Sequence, residues 1–416
     1  MAREFDIVVF GASGFTGQYV ALYLAKRALE LKKPLKWAIA GRSRKKLEDT
    51  REWVMRQEPS YKGDDIPIIV ADAFDAPSLE AMCSSTAILL TCAGPFLYFG
   101  EPVVKACIAA HTHYLDITGE VQFVLETMVK YNAAAQANDC VVVSCVGYDS
   151  LPTELSALFA AAQFPSDGCM TSAEVFMGMD SKGGHATTYE CVVLMADPAH
   201  AVATSRLRRQ LPSPSPSAFA GPRLAKSWFG YDARLGKPYF RFTGADPLLL
   251  ELSQATATTT PAVQTVVYFA IDFVFVLPLV FFGLILATLG RFEWGRQLMI
   301  KYPAVFTAGS MTHQGPTPSQ LKAASFTTHC FAQGYQDKTK LQDSPDWHVH
   351  VRLDGPEPGY VATPILMVES ALCVWRGEVK ARGVVSPGVA FRGTTIIDSL
   401  NTQGIAFTAV KSGAVA

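Results

Sequence analysis

The sequence lacks an excess of charge of either sign, and it lacks the paired cysteine spacings of many metal sites. Its 416 residues include 36 basic and 37 acidic side chains, for a net charge of −1. Binding to a nucleic acid through bulk charge needs an excess of Lys and Arg, so we expect no nucleic-acid partner. Disordered chains combine low hydrophobicity with high net charge, whereas 49% of this chain is hydrophobic. We therefore expect a folded chain with a sizeable core.

The nine cysteines are scattered, and none forms a Cys-x-x-Cys pair. The first residues, MAREFDIVVF, do not combine a basic start, an apolar run and a small-residue cleavage site, as a secretory signal does. These features predict reduced thiols in a protein that faces the cytosol. No spacing of His, Cys or carboxylate residues indicates a zinc site, and we predict no metal.

Short apolar runs alternate with helical segments through the first 150 residues. The runs are continuously apolar, as in strands that are covered on both faces. Strands and helices that alternate at this spacing are typical of β-α-β units and a parallel sheet. We therefore predict a doubly wound α/β domain over residues 1–150. Beyond it the pattern changes, and we predict a mixed α+β domain over residues 151–416. The strand-like stretches of this second part are 172–179, 191–196, 324–335 and 346–355.

Three glycines lie between the first predicted strand and the first predicted helix, as Gly11-x-x-Gly14-x-x-Gly17. Phosphate binding needs a tight turn, a close backbone approach and N–H groups at a helix N-terminus. Gly11 is expected to supply the turn, and Gly17 to let the helix pack closely on the sheet. The expected N–H and hydroxyl donors are Ser13, Gly14, Phe15 and Thr16. This context predicts a Rossmann-type dinucleotide site, with a simple tight turn as the alternative.

The end of the second strand lacks the acidic residue that usually binds the ribose 2′-hydroxyl of NAD. Arg42 and Ser43 stand there instead, and Arg44 and Lys45 follow them. A 2′-phosphate favours such a set of side chains, so the predicted cofactor is NADP(H) rather than NAD(H). The alternative is that these residues form only the solvated start of a helix.

Two further strand ends carry candidate cofactor residues. After the third strand, Asp72 either accepts a hydrogen bond from the adenine amino group or caps the next segment. Cys92, Ala93 and Gly94 follow the fourth strand, whose carboxyl end faces the cofactor crevice in this topology. A small, bent loop there would let the backbone approach the nicotinamide ribose.

Few residues are candidates for proton transfer. Tyr98 follows the fourth strand, where its ring either lines the substrate side or simply packs. Asp149 follows the sixth strand and either contacts the nicotinamide or caps the next helix. His185 follows two glycines at a predicted active-site loop. The catalytic residue itself stays unassigned among these three.

One segment, 265–289, stands apart because it is almost uniformly apolar. Mean hydropathy over the whole chain is +0.19, which is unusual for a purely soluble enzyme, and this segment contributes the local excess. Its uncharged core is at the short limit for a spanning helix, and Pro278 and Gly283 interrupt it. We predict insertion into one leaflet, or a hairpin. Three basic residues follow and are expected at the lipid surface, namely Arg291, Arg296 and Lys301.

With these residues in view, the chain resembles the saccharopine dehydrogenase-like oxidoreductases over nearly its whole length. The motifs that carry the resemblance are VVFGASGFTGQ (8–18), AIAGRSRKKL (38–47), CAGPFLYFGEPVVKAC (92–107), LDITGE (115–120), GYDSLPTEL (147–155) and three segments at 301–317, 355–372 and 383–391. The resemblance implies an N-terminal Rossmann domain and a C-terminal α+β domain of the saccharopine-reductase type, for substrate binding and dimerisation. It also implies association with membranes or lipid droplets, which fits 265–289.

The resemblance does not settle the substrate. Related bacterial proteins resemble trans-acting enoyl reductases of glycolipid synthesis. Saccharopine reductases carry Gly-x-Asp-Pro-Gly where this chain has Gly147-Tyr148-Asp149-Ser150-Leu151, and the missing Pro-Gly disfavours an amino-acid substrate.

We therefore expect an NADP(H)-dependent oxidoreductase that acts on a lipid-like carbonyl or enoyl substrate. Its expected location is a cytosol-facing membrane, either a lipid droplet or an endomembrane, which it contacts through 265–289; a homodimer is left open. Two alternatives remain at this point. One is a lipid-surface scaffold that keeps the nucleotide fold without turnover. The other is a soluble saccharopine-type dehydrogenase of lysine catabolism, in which 265–289 is a buried core helix.

Overall fold

The computed structural model describes residues 3–61, 66–213, 215, 218–256, 261–341 and 344–414. The chain divides into two compact units. The first unit comprises residues 1–148, 359–385 and 393–396, and the second comprises residues 149–358, 386–392 and 397–416.

Helices and strands are numbered in chain order. Up to residue 148 they are β1 (Phe5–Phe10), α1 (Phe15–Glu30), β2 (Trp37–Gly41), α2 (Arg44–Gln57), β3 (Ile68–Val70), α3 (Ala76–Ser85), β4 (Thr86–Thr91), α4 (Phe96–Ala109), β5 (His113–Asp116), α5 (Val121–Ala137) and β6 (Val141–Val143). The next are α6 (Leu151–Ala161), β7 (Cys169–Asp180), β8 (Gly184–His185), α7 (Ala186–Leu194), α8 (Pro198–Arg208), β9 (Phe229–Asp232), β10 (Lys237–Arg241), α9 (Ala245–Thr256), β11 (Gln264–Ala270), α10 (Phe273–Leu289), α11 (Glu293–Lys301) and α12 (Pro303–Phe306). The last are β12 (Met311–Thr312), α13 (Pro318–Ala323), β13 (Ser325–Tyr335), β14 (Trp347–Pro356), a π-helical turn (Pro358–Ala362), α14 (Thr363–Trp375), β15 (Gly383–Val385), α15 (Pro387–Ala390), α16 (Ile396–Thr402) and β16 (Ala406–Ala414).

Seven strands form the sheet of the first unit, in the order β15-β6-β5-β4-β1-β2-β3, and all neighbouring pairs are parallel. The chain runs outward from β1 to β2 and β3, and then places β4 on the other side of β1. The strand order therefore reverses between β1 and β4, which is the point at which open α/β sheets bind ligands. The predicted doubly wound parallel sheet is confirmed.

The first unit also includes elements from the C-terminal part of the chain. β15 pairs with β6, and its hydrogen bonds cover what would otherwise be an open edge of the sheet. Glu369 of α14 is fully buried, and its carboxylate lies 2.5 Å from the guanidinium of Arg27 and 3.0 Å from the hydroxyl of Tyr23, both in α1. The structure thus builds the first unit from three stretches of chain, rather than from residues 1–150 alone.

Among the described residues, one helical stretch has the length and composition of a membrane span, namely Pro358–Trp375. However, 83% of this stretch is buried inside the protein. It also contains Glu369, whose buried ion pair with Arg27 ties it to α1. Burial on nearly all sides is typical of a core helix.

A second seven-stranded sheet forms the core of the second unit, in the order β16-β14-β13-β7-β11-β10-β9. Its neighbouring strands are antiparallel except for β7 and β11. Ala173, Val175 and Met177 of β7 pack with Ala157 and Ala160 of α6 on one face of this sheet. The predicted mixed α+β architecture of this part is confirmed.

Two expectations for the second unit differ from the structure. Residues 191–196 were expected to form a strand, but Cys191–Leu194 belong to α7, where Tyr189 and Val193 pack four residues apart against Met299. A short apolar run does not by itself distinguish a strand from a buried helix.

The second difference concerns segment 265–289, which spans two elements. Residues 265–270 form most of β11, which pairs with β7 and β10. Only α10 therefore remains as a lipid-contact candidate.

Candidate functional site

A depression of about 190 Å³ lies at the point where the strand order of the first sheet reverses. Four strand ends and the loops after them form its wall, because the carboxyl ends of parallel strands meet at one edge of a sheet. The lining residues are Phe10, Gly11, Ser13, Gly14, Gly41, Arg42, Ala71, Asp72, Ala73, Cys92, Ala93, Gly94 and Phe99. Eight of the predicted cofactor residues are thus brought together. The five other lining residues are small or apolar: Phe10 and Gly41 end strands, Ala71 and Ala73 follow β3, and Phe99 lies in α4.

Two glycines allow the loop after β1 to pack against its neighbours. Gly11 has a φ of +78°, and a Cβ at this position would lie 2.8 Å from the backbone nitrogen of Ala93. A Cβ on Gly17 would lie 2.2 Å from the carbonyl oxygen of Gly11. Both distances are too short for any side chain, so the turn and the close helix approach require glycine at these positions.

The N-terminus of α1 lies at this depression. Gly14 is its N-cap residue, no side chain caps it, and the first turn contains no acidic residue. The positive end of the helix dipole is therefore not offset by a carboxylate, which favours a phosphate. Phe15, Thr16 and Gly17 form the first turn but are not among the lining residues. The Phe15 ring packs edge-on against Tyr360 at 4.8 Å between centroids.

Arg42 is exposed, and it is the one cation among the described residues that line the depression. Ser43 does not line it; its hydroxyl accepts a hydrogen bond from the backbone N–H of Lys46 at 3.4 Å and so caps α2. Lys45 is paired with Asp49 at 2.8 Å. Among the side chains predicted to favour a 2′-phosphate, Arg42 is thus the one that lines the depression.

Asp72 stabilises the turn before α3 and also lines the depression. Its Oδ1 accepts a hydrogen bond from the backbone N–H of Phe74 at 3.0 Å, which stabilises the turn before α3. Its own N–H donates to the hydroxyl of Ser78, also at 3.0 Å. The residue nevertheless lines the depression.

The loop after β4 is held by backbone hydrogen bonds and by a buried carboxylate. The N–H of Cys92 donates to the carbonyl of Phe10 at 2.8 Å, which joins this loop to the end of β1. Burial, with the nearby Asp116 carboxyl, raises the pKa of the Cys92 thiol to about 12, so Cys92 offers no thiolate nucleophile. Glu120 accepts hydrogen bonds from the N–H groups of Phe96 and Leu97 at 2.7 and 2.9 Å, and so anchors the start of α4.

The three proton-transfer candidates lie on different elements. Tyr98, in the first turn of α4, is 54% exposed, and its ring centroid lies 6.4 Å from that of Phe99, which lines the depression. Asp149 is exposed and lies in the second unit, two residues before α6. His185 is the N-cap of α7, where its Nδ1 accepts from the N–H of Thr187 at 3.2 Å. Burial lowers the pKa of His185.

The second unit contains two buried carboxyls that are not among the candidate residues predicted from the sequence. The hydroxyl of Thr153 donates to Asp246 at 2.6 Å, and burial raises the pKa of Asp246 to about 7. The hydroxyl of Ser253 donates to Glu154 at 2.8 Å, and burial raises the pKa of Glu154 to about 8. Carboxyls in such surroundings retain their protons to a higher pH than exposed carboxyls do. Among the described residues, no group of three or more His, Cys, Asp or Glu side chains is arranged to hold a metal ion.

An uncharged, exposed helix is the other candidate site, and it lies in the second unit. α10 has 17 residues, and side chains along one of its sides are strongly exposed, namely Val274 (71%), Leu277 (78%), Phe281 (66%) and Leu284 (60%). Its other side packs on the protein, with Phe282 and Leu286 against Tyr189 and Val193. Exposed apolar surface of this extent is typical of surfaces that contact a partner or a membrane, which makes α10 a candidate for such a contact.

Exposed aromatic side chains lie beside this helix. Tyr231 stacks on Phe273 at the start of α10, and Phe292 stacks on Trp294 just beyond its end, each at 6.0 Å between centroids. Trp and Tyr rings are typical of membrane–water interfaces. Only two of the three basic residues predicted at the lipid surface are exposed, because Arg296 is largely covered and pairs with Asp197 at 2.6 Å. Arg291 and Lys301 are exposed.

Comparisons with known proteins agree with this architecture. A family model of the saccharopine dehydrogenase NADP binding domain matches residues 7–143, which include every residue that lines the depression. A saccharopine dehydrogenase-like oxidoreductase from Homo sapiens is 34% identical over 432 residues, and the match covers 99% of each chain. A lipid droplet localized protein from Caenorhabditis elegans is 28% identical, covering 97% of this chain and 98% of that protein.

A solved structure shares the fold. Saccharopine dehydrogenase (L-Glu forming) from Saccharomyces cerevisiae superposes with a TM-score of 0.54 at 12% identity, covering 99% of this chain and 100% of that chain. At this level of identity the likeness concerns the fold alone.

Proposed function

The chain belongs to the family of saccharopine dehydrogenase-like oxidoreductases, and from this premise we propose an NADP(H)-dependent reaction at a lipid surface. The proposed substrate is lipid-like, and the group that reacts is a carbonyl or an enoyl group. The proposed location is a membrane or a lipid droplet that the chain contacts through α10. The observation that carries the proposal is the presence on one chain of a dinucleotide-type depression and an uncharged, exposed helix.

The depression suits a dinucleotide phosphate. Gly11 and Gly14 leave room for it beside the backbone, and the N-terminus of α1 together with the Ser13 hydroxyl stabilises its charge. Arg42 at the rim binds the 2′-phosphate that distinguishes NADP(H) from NAD(H). When bound, the nicotinamide donates or accepts a hydride. The loop Cys92–Gly94 gives the nicotinamide ribose a side-chain-poor wall.

Proton transfer is assigned to one of the residues predicted from the sequence. Tyr98 belongs to the same unit as the depression, and its exposed phenol can donate a proton directly. Asp149 is the candidate from the second unit. His185 is the least suitable of the three, because the Nδ1 of its ring is already used to cap α7.

The lipid-surface part of the proposal rests on α10. Its exposed face can enter one leaflet while its other face stays packed on the protein, as in interfacial helices. The flanking aromatic rings then lie at the level of the headgroups. The name of the Caenorhabditis elegans relative is consistent with this location.

Replacing Arg42 with Ala is expected to change the cofactor preference. Loss of a charge-assisted hydrogen bond to the 2′-phosphate is expected to weaken NADPH binding by roughly 10- to 100-fold. NADH binding is expected to be unchanged, because NADH has no phosphate at that position. Fluorescence titration of both cofactors measures the two affinities.

The matched control is Lys45→Ala, which removes a neighbouring cation that is already paired with Asp49 and does not line the depression. This control is expected to bind both cofactors as the parent chain does. Equal losses for NADPH and NADH in Arg42→Ala, or no loss for either, would overturn the assignment of Arg42 to the 2′-phosphate.

Turnover tests the reaction itself. The full chain is mixed with NADPH and with phosphatidylcholine vesicles that contain a long-chain 2-alkenal or a long-chain ketone, and NADPH oxidation is followed by its absorbance. We expect oxidation that depends on the vesicle-borne compound, because the nicotinamide hydride reduces carbonyl and conjugated enoyl groups.

Saccharopine with NADP is the comparison reaction, and we expect no turnover of it. Turnover of saccharopine without turnover of the lipid-like compounds would favour a dehydrogenase of amino-acid metabolism. A chain that binds NADPH and floats with vesicles, yet turns over none of these compounds, would favour a lipid-surface scaffold.

A further inference from the structure

A cavity of about 400 Å³ lies in the second unit, on the side of the sheet opposite α6. Two paired strands form its floor, with Phe176 opposite His329 and Gly178 opposite Thr327. α10 forms a wall through Phe275 and Leu279, which are one helical turn apart. The cavity is within the size range of sites for small organic ligands.

Two polar side chains on the floor of the cavity are already engaged with protein partners. Thr327 donates to the carboxylate of Asp354 at 2.9 Å. Nδ1 of His329 lies 3.0 Å from Nε2 of His350, and burial beside this second ring lowers the pKa of His329 to about 4. His329 is therefore uncharged at neutral pH.

The lining also provides no cation for an acidic ligand. Among the described residues that line the cavity, Lys237 is the one Lys or Arg, and its ammonium lies 2.9 Å from Asp272, which also lines it. Asp180, the other charged lining residue, is paired with Lys182. A carboxylate or phosphate group would lose its hydration here without gaining a partner, which is unfavourable. The remaining wall is largely apolar and includes Leu235, Phe269 and Phe326.

α10, which forms one wall of the cavity, also carries the exposed apolar face. Phe275 and Leu279 line the cavity and are themselves 56% and 37% exposed, so the apolar surface is continuous from the cavity to the outer face of α10. A hydrocarbon chain can pass along this surface without meeting an unpaired charge.

We propose that this cavity binds the hydrocarbon chain of an uncharged lipid, which reaches it along α10. The inference rests on the proposed contact between α10 and a lipid surface, and it adds a defined binding site for the chain of a lipid. The expected ligand class is a neutral long-chain alcohol, ester or glyceride rather than a fatty-acid anion or a phosphate headgroup.

Photolabelling tests the proposal on the full chain. The probe is 1-decanol with a diazirine in its alkyl chain, used in buffer without vesicles, and labelled peptides are located by mass spectrometry. We expect saturable labelling within 176–180 and 325–329, with competition by unlabelled 1-decanol. Decanoate with the same diazirine is expected to label these peptides at least about tenfold less at pH 8, because its carboxylate would be desolvated.

Gly178→Leu fills the cavity. A Cβ at Gly178 would lie 3.5 Å from the carbonyl oxygen of Thr327 and 3.6 Å from that of Ala270, which are ordinary contacts, so the new side chain extends into the cavity. We expect labelling to fall by about tenfold, since several methylene groups of the probe are excluded. Gly413→Leu is the matched control, since it makes the same change in β16 of the same sheet, where no atom lies within 4 Å of the new Cβ.

Leu279→Trp narrows the cavity from its partly exposed wall, and it replaces Gly178→Leu if that variant does not fold. The proposal would be overturned if these variants left the labelling of peptides 176–180 and 325–329 unchanged, or if the probe labelled only the outer face of α10. Vesicle flotation of the same variants is measured separately. A chain that does not float but is labelled in the cavity contradicts the lipid-surface proposal and leaves the cavity assignment standing.

Discussion

A Gly14→Asp variant is expected to fold as the parent chain does and to bind NADPH on the order of 100-fold more weakly. Gly14 is the N-cap of α1 and has an extended backbone with a φ of −76°. A Cβ at this position would lie 3.2 Å from the carbonyl oxygen of Gly11, which a small shift relieves. Asp is favourable at an N-cap, so the free energy of unfolding is expected to stay the same or to rise slightly. The new carboxylate lies in the depression, where it repels phosphate.

The matched control is Gly14→Asn, which has the same shape and hydrogen-bonding reach but no charge. NADPH titration and thermal unfolding are measured for both variants. We expect Gly14→Asn to bind NADPH more weakly than the parent chain but clearly better than Gly14→Asp. Unchanged NADPH affinity in both variants would contradict the assignment of the depression to the cofactor phosphates. Equal losses of NADPH affinity in the two variants would indicate that steric exclusion, rather than charge, prevents NADPH from binding.

A double variant, Leu277→Asp with Phe281→Asp, is expected to abolish flotation with phospholipid vesicles. Both side chains are exposed, at 78% and 66%, so their replacement does not disturb the core. Each replacement removes about 1.5–3 kcal/mol of the favourable free energy of transferring an apolar side chain into hydrocarbon. Each new charge adds an unfavourable insertion free energy of about 2.5–3.5 kcal/mol near a bilayer centre. Even a fraction of that sum lowers partitioning on the order of 100-fold or more.

The control for this variant is Leu29→Asp with Met55→Asp, which replaces two exposed apolar side chains on α1 and α2 of the first unit. We expect the control to float as the parent chain does, and NADPH affinity to be unchanged in both double variants. If the parent chain itself does not float, the lipid-surface proposal fails. If the Leu277/Phe281 variant floats normally, α10 is not the contact.

Local sequence patterns predicted the first unit well. Continuous apolar runs marked buried parallel strands, and Gly11, Gly14 and Gly17 placed the turn and helix start between β1 and α1. These predictions succeeded because a tight turn and a close helix approach depend on the residues at those positions. Arg42 was likewise found from its place at the end of β2.

Predictions that depended on long-range contacts were less successful. Ser43 and His185 are a separate, local case, because each caps a helix through an N–H group only two or three residues further along the chain. Arg296 pairs with Asp197, which is 99 positions away in sequence. The buried carboxyls of Asp246 and Glu154 were not predicted as candidate residues, because their raised pKa values arise from burial in the folded chain.

The sequence by itself determined the family, the parallel sheet and eight of the residues that line the depression, because those features reside in short, contiguous motifs. The tertiary structure alone decided which of two apolar stretches is covered. Pro358–Trp375 is a core helix that pairs Glu369 with Arg27, whereas Phe273–Leu289 leaves one face exposed. Hydropathy marked 265–289 as the more apolar stretch, but it did not show which of the two is covered, since burial depends on the neighbours that folding brings from distant positions.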